Sequence, residues 1–224
     1  KHGHQVWPSS MALCLSLIHD YYGNKDAENE SMVRPRSVLE LGAGMGLPSI
    51  VCRDVLQIPS VIATDFWYLA VDDGSEEREP ERLIPEVWHG INLAYNVERK
   101  QEGAIVQRLD WHDLETVRQA GPNIDLVIGS DLVYYFMDID PLWNTLETLI
   151  RDCGASKVVL ISPIKPDTRE SLPAFLEVLA SKSADVGYLL QREELILYKS
   201  QEELDAREGG DRLVRVTLSA PQQQ

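Results

Sequence analysis

The sequence has little that would cross-link it, hold a metal or anchor it in a membrane. Its three cysteines, Cys14, Cys52 and Cys153, lie far apart in apolar stretches and form no CxxC pair. An odd, scattered set argues against a disulfide framework and against a cysteine zinc site, and it suits a reducing compartment. His2, His4, His19, His89 and His112 show no ligand spacing, so no metal is expected. No apolar run approaches the roughly 20 residues of a membrane span, and no charged-then-apolar leader opens the sequence. A cytoplasmic protein without a membrane partner is the expectation. Basic residues are also scarce: 21 Lys and Arg face 36 Asp and Glu, a formal charge of −15. Such a molecule repels phosphate backbones and attracts basic protein segments, so nucleic acid is not an expected partner, although an acidic balance also serves solubility. There is no internal repeat. The biased stretches are the acidic segment 72–86 and the polar tail after Ala220.

What is present reads as one domain covering 1–224. The length of 224 residues and the 44% hydrophobic content suffice for a single α/β core. Runs with strand composition occur at 37–41 (SVLEL), 60–64 (SVIAT), 104–109 (AIVQRL), 124–129 (IDLVIG) and 157–162 (KVVLIS). Between them, apolar residues at three- and four-residue spacing predict helices over 47–56, 87–99, 141–153 and 169–181. This alternation predicts a mostly parallel sheet covered by helices. The rhythm then changes, and 194–200 with 212–219 predict a closing antiparallel pair. Ahead of the first strand, 9–22 reads as an amphipathic helix and 24–36 as a polar connector.

The segment ELGAGMGLPSI at 40–50 joins the first strand to the first of these helices through three glycines. Glycine permits positive φ and lets a ligand approach the backbone, and a helix start offers unpaired N–H groups. A nucleoside-bearing ligand fits there. Asp65, 23 positions beyond Gly42, ends the next strand, where a carboxylate can accept hydrogen bonds from ribose hydroxyls. The spacing is G-x-G-x-G, whereas a dinucleotide turn uses G-x-G-x-x-G. Glu40 adds a carboxylate that suits ammonium and sulfonium groups better than a pyrophosphate. Glu40, Gly42, Ala43, Gly44, Gly46 and Asp65 therefore point to S-adenosyl-L-methionine, while a plain strand-to-helix turn is the structural alternative.

Four segments together resemble the seven-strand (class I) non-histone protein lysine methyltransferases of the methyltransferase-like group. They are VWPSSMAL at 6–13, ELGAGMGLPSI at 40–50, LDWHDL at 109–114 and DLVIGSDLVYY at 125–135. The resemblance reaches from the start of the chain to about Tyr135. It implies a Rossmann-like methyltransferase fold: a central, mostly parallel seven-stranded sheet, helices on both faces and an antiparallel C-terminal strand. It also implies that Trp7, Gly42, Ala43, Gly44, Asp65, Trp111 and the Ser130 backbone surround the cofactor, with residues 1–36 as a helical, cofactor-covering segment. Asp131 and Tyr134 match its D-x-x-Y pattern at the methyl-transfer channel, which implies that they are the catalytic pair. In isolation Asp131 fits a helix cap and Tyr134 a packing role equally well. The implied partner is a protein presenting a lysine, such as a translation factor or chaperone.

Methyl transfer from a sulfonium to an amine needs alignment more than a base, because the sulfur leaves neutral. Asp131 is therefore assigned to capture and orientation of the lysine, and His112 is not invoked as a base. The sequence departs from the family pattern at 67–86, an acidic insertion that fits either a substrate-selecting flap or a solvated loop. A small-molecule or arginine methyltransferase on the same fold, and a cofactor-binding module without turnover, remain as alternatives. The sequence does not fix the oligomeric state.

Overall fold

A computed structural model of the chain describes residues 6–23, 34–66, 96–97, 104–164, 170–198, 200–206 and 210–221. Seven strands form one sheet: β1 (Ser37–Leu41), β2 (Ser60–Asp65), β3 (Ala104–Arg108), β4 (Leu126–Ser130), β5 (Lys157–Pro163), β6 (Leu189–Leu197) and β7 (Asp211–Ser219). Their order across the sheet is β3-β2-β1-β4-β5-β7-β6. The first five run parallel, and β7 pairs antiparallel with both β5 and β6. This is the expected closing pair.

Every residue of β1 and of β4 is buried, the continuous apolar reading of a parallel strand covered on both faces. Alternate residues divide between two cores. Leu39, Leu41, Val127, Val158, Leu160, Val214 and Val216 face one core, and Val38, Leu126, Ile128, Val159, Ile161 and Leu213 face the other. The chain proceeds from β1 outward to β2 and β3, then returns to place β4 against the other side of β1. At that reversal the connections leaving β1 and β4 diverge, so their carboxyl ends border the crevice where open α/β sheets take ligands.

Helix α1 (Pro8–Ile18) continues through a π turn at His19–Gly23, and its buried Leu13 and Leu17 join the second core. Pro8 starts it well, because the missing N–H has no helical acceptor there. At its far end Asp20 accepts two hydrogen bonds from the Arg215 guanidinium of β7, one of them at 3.1 Å. This nearly buried, bidentate ion pair fixes α1 on the sheet. Helix α2 (Leu47–Ile50) runs on through a π turn at Val51–Val55, together matching the expected 47–56 helix. A short α3 (Leu114–Arg118) follows β3, α4 (Ile139–Arg151) follows β4, and α5 (Ser171–Asp185) follows β5. In α4 the buried Ile139, Leu142, Trp143, Leu146, Leu149 and Ile150 repeat at helical spacing and cover the first core.

The structure differs from the sequence reading at three places. Strand β6 begins at Leu189, not near 194, because its central Gln191-Arg192-Glu193-Glu194 lies on an edge strand exposed on both faces and so carries no alternation. Helix α3 was not expected. It is one turn long, too short for periodicity, and is marked by Asp113, whose carboxylate accepts from Glu115 N at 3.1 Å. A further helix, α6 (Gln201–Ala206), is exposed and lacks an apolar stripe. The 67–86 insertion and most of the expected 87–99 helix lie outside the described residues, although Asn96 and Val97 are helical.

Candidate active site

The glycine turn sits where β1 meets α2, at the crevice. Gly42, Gly44 and Gly46 have φ of 57, 56 and 77°, the left-handed region that side chains resist. Backbone bonds fix the turn: Ala43 N donates to Thr64 O at 2.9 Å, and Gly46 N to Ala43 O at 2.7 Å. Asp65, ending β2, accepts from Gly44 N at 2.7 Å and from Phe66 N at 2.7 Å. The expected ribose carboxylate and the glycine turn are thus in direct contact. A Cβ on Gly44 would meet no described atom within 4 Å, so this side of the turn is open to a ligand.

Glu40 is buried, and its carboxyl accepts from Ser49 N at 2.9 Å and from the Ser49 hydroxyl. It satisfies the third N–H of α2 from below the turn. Burial is the main cause that pushes its pKa up to about 8 from an ordinary 4.5, against the opposing bonds from Ser49. Glu40 is therefore largely neutral at pH 7. The folded state holds this proton more tightly than the unfolded chain, so the associated stability is full below pH 4.5 and is lost as pH rises through about 8. Thermal melts across that window are expected to show a Tm that declines with pH. In Glu40→Gln, which keeps an acceptor for Ser49 but cannot titrate, the decline flattens. An unchanged slope in the variant would assign the pH dependence to other groups. The same burial, with Glu40 nearby, pushes the Cys14 thiol up to about 12 and leaves it unreactive at neutral pH.

Across the crevice, β4 ends in Ser130, and its hydroxyl lies 3.0 Å from that of Ser10 on α1. Asp131 follows with φ of 57°, a conformation that Asp and Asn tolerate better than other side chains. It is buried, its N–H donates to Ile161 O at 2.9 Å, and its Oδ2 accepts from the Tyr134 hydroxyl at 3.2 Å. Burial first, then the Asp65 and Tyr135 charges, raise the pKa of the Tyr134 phenol, which stays a hydroxyl at neutral pH. Leu132 lies directly on the glycine turn, since a Cβ on Gly42 would come 2.7 Å from its Cδ2. The same side chain covers Gly129, where a Cβ would lie 2.7 Å from Cδ1.

Trp111 is half-buried against the first core, in the turn between β3 and α3. That turn is tied to the ribose corner by Leu109 N donating to Asp65 O at 3.1 Å. Trp7 precedes α1 and is half-buried, its carbonyl accepting from Ser10 N at 3.0 Å. The structure thus brings Gly42, Ala43, Gly44, Gly46, Asp65, Ser130, Asp131 and Tyr134 to the adjoining ends of β1, β2 and β4, with Trp7 and Trp111 on the segments that flank them, while the Glu40 carboxyl is turned away onto Ser49.

Sequence reasoning missed several participants. Phe66 is 44% exposed at the end of β2, with the Arg108 guanidinium 5.5 Å from its ring centroid. Asn96 Nδ2 donates to Met45 O at 3.1 Å and braces the turn from outside. Ser10 and Leu132 act through contacts across about 120 and 90 positions, which no local pattern encodes. Among the described residues no cluster of His, Cys, Asp and Glu could hold a metal.

Comparison with known proteins matches this architecture. The chain is 31% identical over 183 residues to the "Protein N-terminal and lysine N-methyltransferase EFM7" of Cryptococcus neoformans, covering 77% of this chain and 52% of that protein. It is 30% identical to the "Protein-lysine methyltransferase METTL21E" of mouse, covering 67% and 53%. It thus spans about half the length of these curated relatives. In fold it is similar to the human methyltransferase 10 domain containing protein, with a TM-score of 0.55, 11% identity and coverage of 93% and 82%. A protein family described as lysine methyltransferase matches residues 1–71 and 82–182, a range that includes the glycine turn, Asp65, Trp111 and the Asp131–Tyr134 pair. With most of its length and its whole candidate site inside that match, the chain belongs to the lysine methyltransferase family.

Proposed function

We propose that the chain is an S-adenosyl-L-methionine-dependent protein lysine N-methyltransferase that acts on a non-histone protein in the cytoplasm. The observation that carries this reading is the Asp131–Tyr134 pair, hydrogen-bonded at 3.2 Å on the loop whose Leu132 covers the glycine turn. The residues fit the cofactor. A Cβ on Gly44 would meet no described atom, Asp65 stands against it as a carboxylate of the kind that accepts from a ribose diol, and Trp111 and Phe66 would supply apolar ring surface on the adenine side. Ser130, with α1 and Trp7 beside it, would border the methionine end, and Glu40 would act on the site by holding α2 through Ser49. When bound, the cofactor supplies an electrophilic methyl group on a sulfonium.

The chain's own residues do the rest. Asp131 draws in the substrate ammonium, and burial makes that attraction stronger than it would be in water. Tyr134 donates its proton to Asp131, so its oxygen presents lone pairs to the substrate nitrogen. A neutral lysine amine has two N–H donors and one lone pair. Acceptance of the donors by Asp131 and Tyr134 leaves the lone pair as the only free direction, which is the alignment that transfer requires. The Asp131 carboxylate raises the lysine pKa and so opposes deprotonation; loss of the proton to water is favoured instead by desolvation of the ammonium as it enters the site, and Asp131 orients the amine without serving as base. The overall charge of −15 favours a basic protein segment over nucleic acid as partner.

The test is incubation of a cell extract with radiolabelled S-adenosylmethionine, with and without the protein, followed by mapping of methylated residues. A labelled protein carrying methyl-lysine is the expected product. Labelled arginine or a labelled small molecule would move the reading to another acceptor on this fold, and cofactor binding without product would make the chain a binding module.

A further inference from the structure

Directly after Tyr134 the chain presents large apolar side chains to solvent. Tyr135 is 65% exposed, Phe136 58% and Met137 73%. Single exposed apolar residues are ordinary, but a run of three at the rim of a site is not. The segment is built in place, since Phe136–Asp138 form a 3-10 turn in which Asp138 N donates to Tyr135 O at 3.2 Å, and buried Ile139 then starts α4. On one side His112 Nε2 lies 3.3 Å from Asp138 Oδ1, and on the other the Ser171 hydroxyl donates to Val133 O at 3.4 Å. The side chains are thus held outward on a fixed backbone, at the cost of exposing them.

We propose that Tyr135, Phe136 and Met137 form the docking rim for the protein substrate, receiving a large aliphatic or aromatic side chain beside the methyl-accepting lysine. The inference rests on the lysine methyltransferase reading of the site. Continuity selects this occupant: Tyr134, which contacts Asp131 and is itself 36% exposed, and the exposed run are consecutive residues, so a protein segment that delivers an amine to Asp131 beside Tyr134 would lie next to the rim. Charge agrees: Asp138 lies against His112 and Asp140 is paired with Lys182, but Asp131 precedes the run within a chain of −15, which suits an apolar anchor set in a basic segment. The rim would select the neighbourhood of the lysine, and the Asp131–Tyr134 pair the lysine itself.

The probes are short lysine peptides carrying Leu, Phe or Met beside the lysine and their Ser and Glu counterparts, with the extract as a second acceptor. The unaltered protein is expected to prefer the apolar peptides by about tenfold in kcat/KM, the scale of burying one large side chain. In Phe136→Ser/Met137→Ser the preference disappears, with the loss in KM and not in kcat, and cofactor Kd and Tm are unchanged. A preference that persists in the double variant overturns the proposal. So does transfer to an extract protein without discrimination among the peptides, which leaves lysine methylation standing. Transfer to neither acceptor overturns both readings. A double variant that changes only the oligomeric state assigns the run to contact between copies and overturns the docking role.

Discussion

Replacing Asp131 with asparagine is expected to lower kcat/KM for the lysine substrate about a hundredfold, while the Kd for S-adenosylmethionine and the Tm hold. Removing one charge of a buried, hydrogen-bonded ion pair costs about 2–5 kcal/mol, and each 1.4 kcal/mol is about a factor of ten. Asparagine is the informative choice because of the backbone. Asp131 has φ of 57°, which asparagine adopts nearly as well, whereas alanine would add strain to the loss of charge. The amide oxygen of asparagine can also still accept from the Tyr134 hydroxyl, preserving the 3.2 Å contact. What the variant loses is the attraction for an ammonium. Steady-state kinetics with the mapped substrate, beside calorimetric titration of the cofactor, separate the two quantities. Turnover within about threefold of the unaltered protein would remove Asp131 from capture and leave it as a loop residue that holds Tyr134.

Much of this site is local chemistry and hence legible in the sequence. Four of the five parallel strands, β1, β2, β4 and β5, are buried on both faces, so each is written as a nearly unbroken apolar run, while β3 stands at the edge and keeps only Ala104 buried; the ends of β1, β2 and β4 place the glycine turn, Asp65 and Asp131 at one end of the sheet. The two closing strands were legible as extended segments. The start of β6 was not, because an edge strand exposed on both faces needs no alternation and its run of charged residues resembles a loop. Glu40 shows a different limit. Its place at the turn suggested a charge facing the ligand, but a strand residue's direction depends on which core it faces, and this one points to Ser49 and is buried. The preference for S-adenosylmethionine over a dinucleotide consequently rests on the turn's spacing and on Asp65 more than on a charge at Glu40. The rim of Tyr135, Phe136 and Met137 was hidden for the opposite reason, since an apolar run after a strand reads as core until exposure is known.

Alanine at two neighbouring glycines is expected to separate folding from cofactor binding. Gly42 and Gly44 share the same left-handed backbone, with φ of 57 and 56°, so an alanine at either pays about 1–2 kcal/mol of strain. Their surroundings differ. At Gly42 the new methyl would lie 2.7 Å from Leu132 Cδ2, and Leu132 cannot retreat toward β4, because it also lies over Gly129. Overpacking of this kind adds about 1–3 kcal/mol to that strain, so Gly42→Ala should lose about 2–5 kcal/mol of stability. The loop carrying Asp131 would shift with Leu132, and turnover would fall along with stability. At Gly44 no described atom lies within 4 Å, so the methyl has room in the free protein and the stability cost stays near that of strain alone. That room is where the cofactor is proposed to lie, beside the N–H that donates to Asp65. Gly44→Ala should therefore raise the cofactor Kd at least about tenfold, the scale of one displaced close contact. Urea melts and calorimetric titration with S-adenosylhomocysteine, run on both variants, measure the two losses separately. Full cofactor affinity in Gly44→Ala would mean that the ligand does not use the open side of the turn.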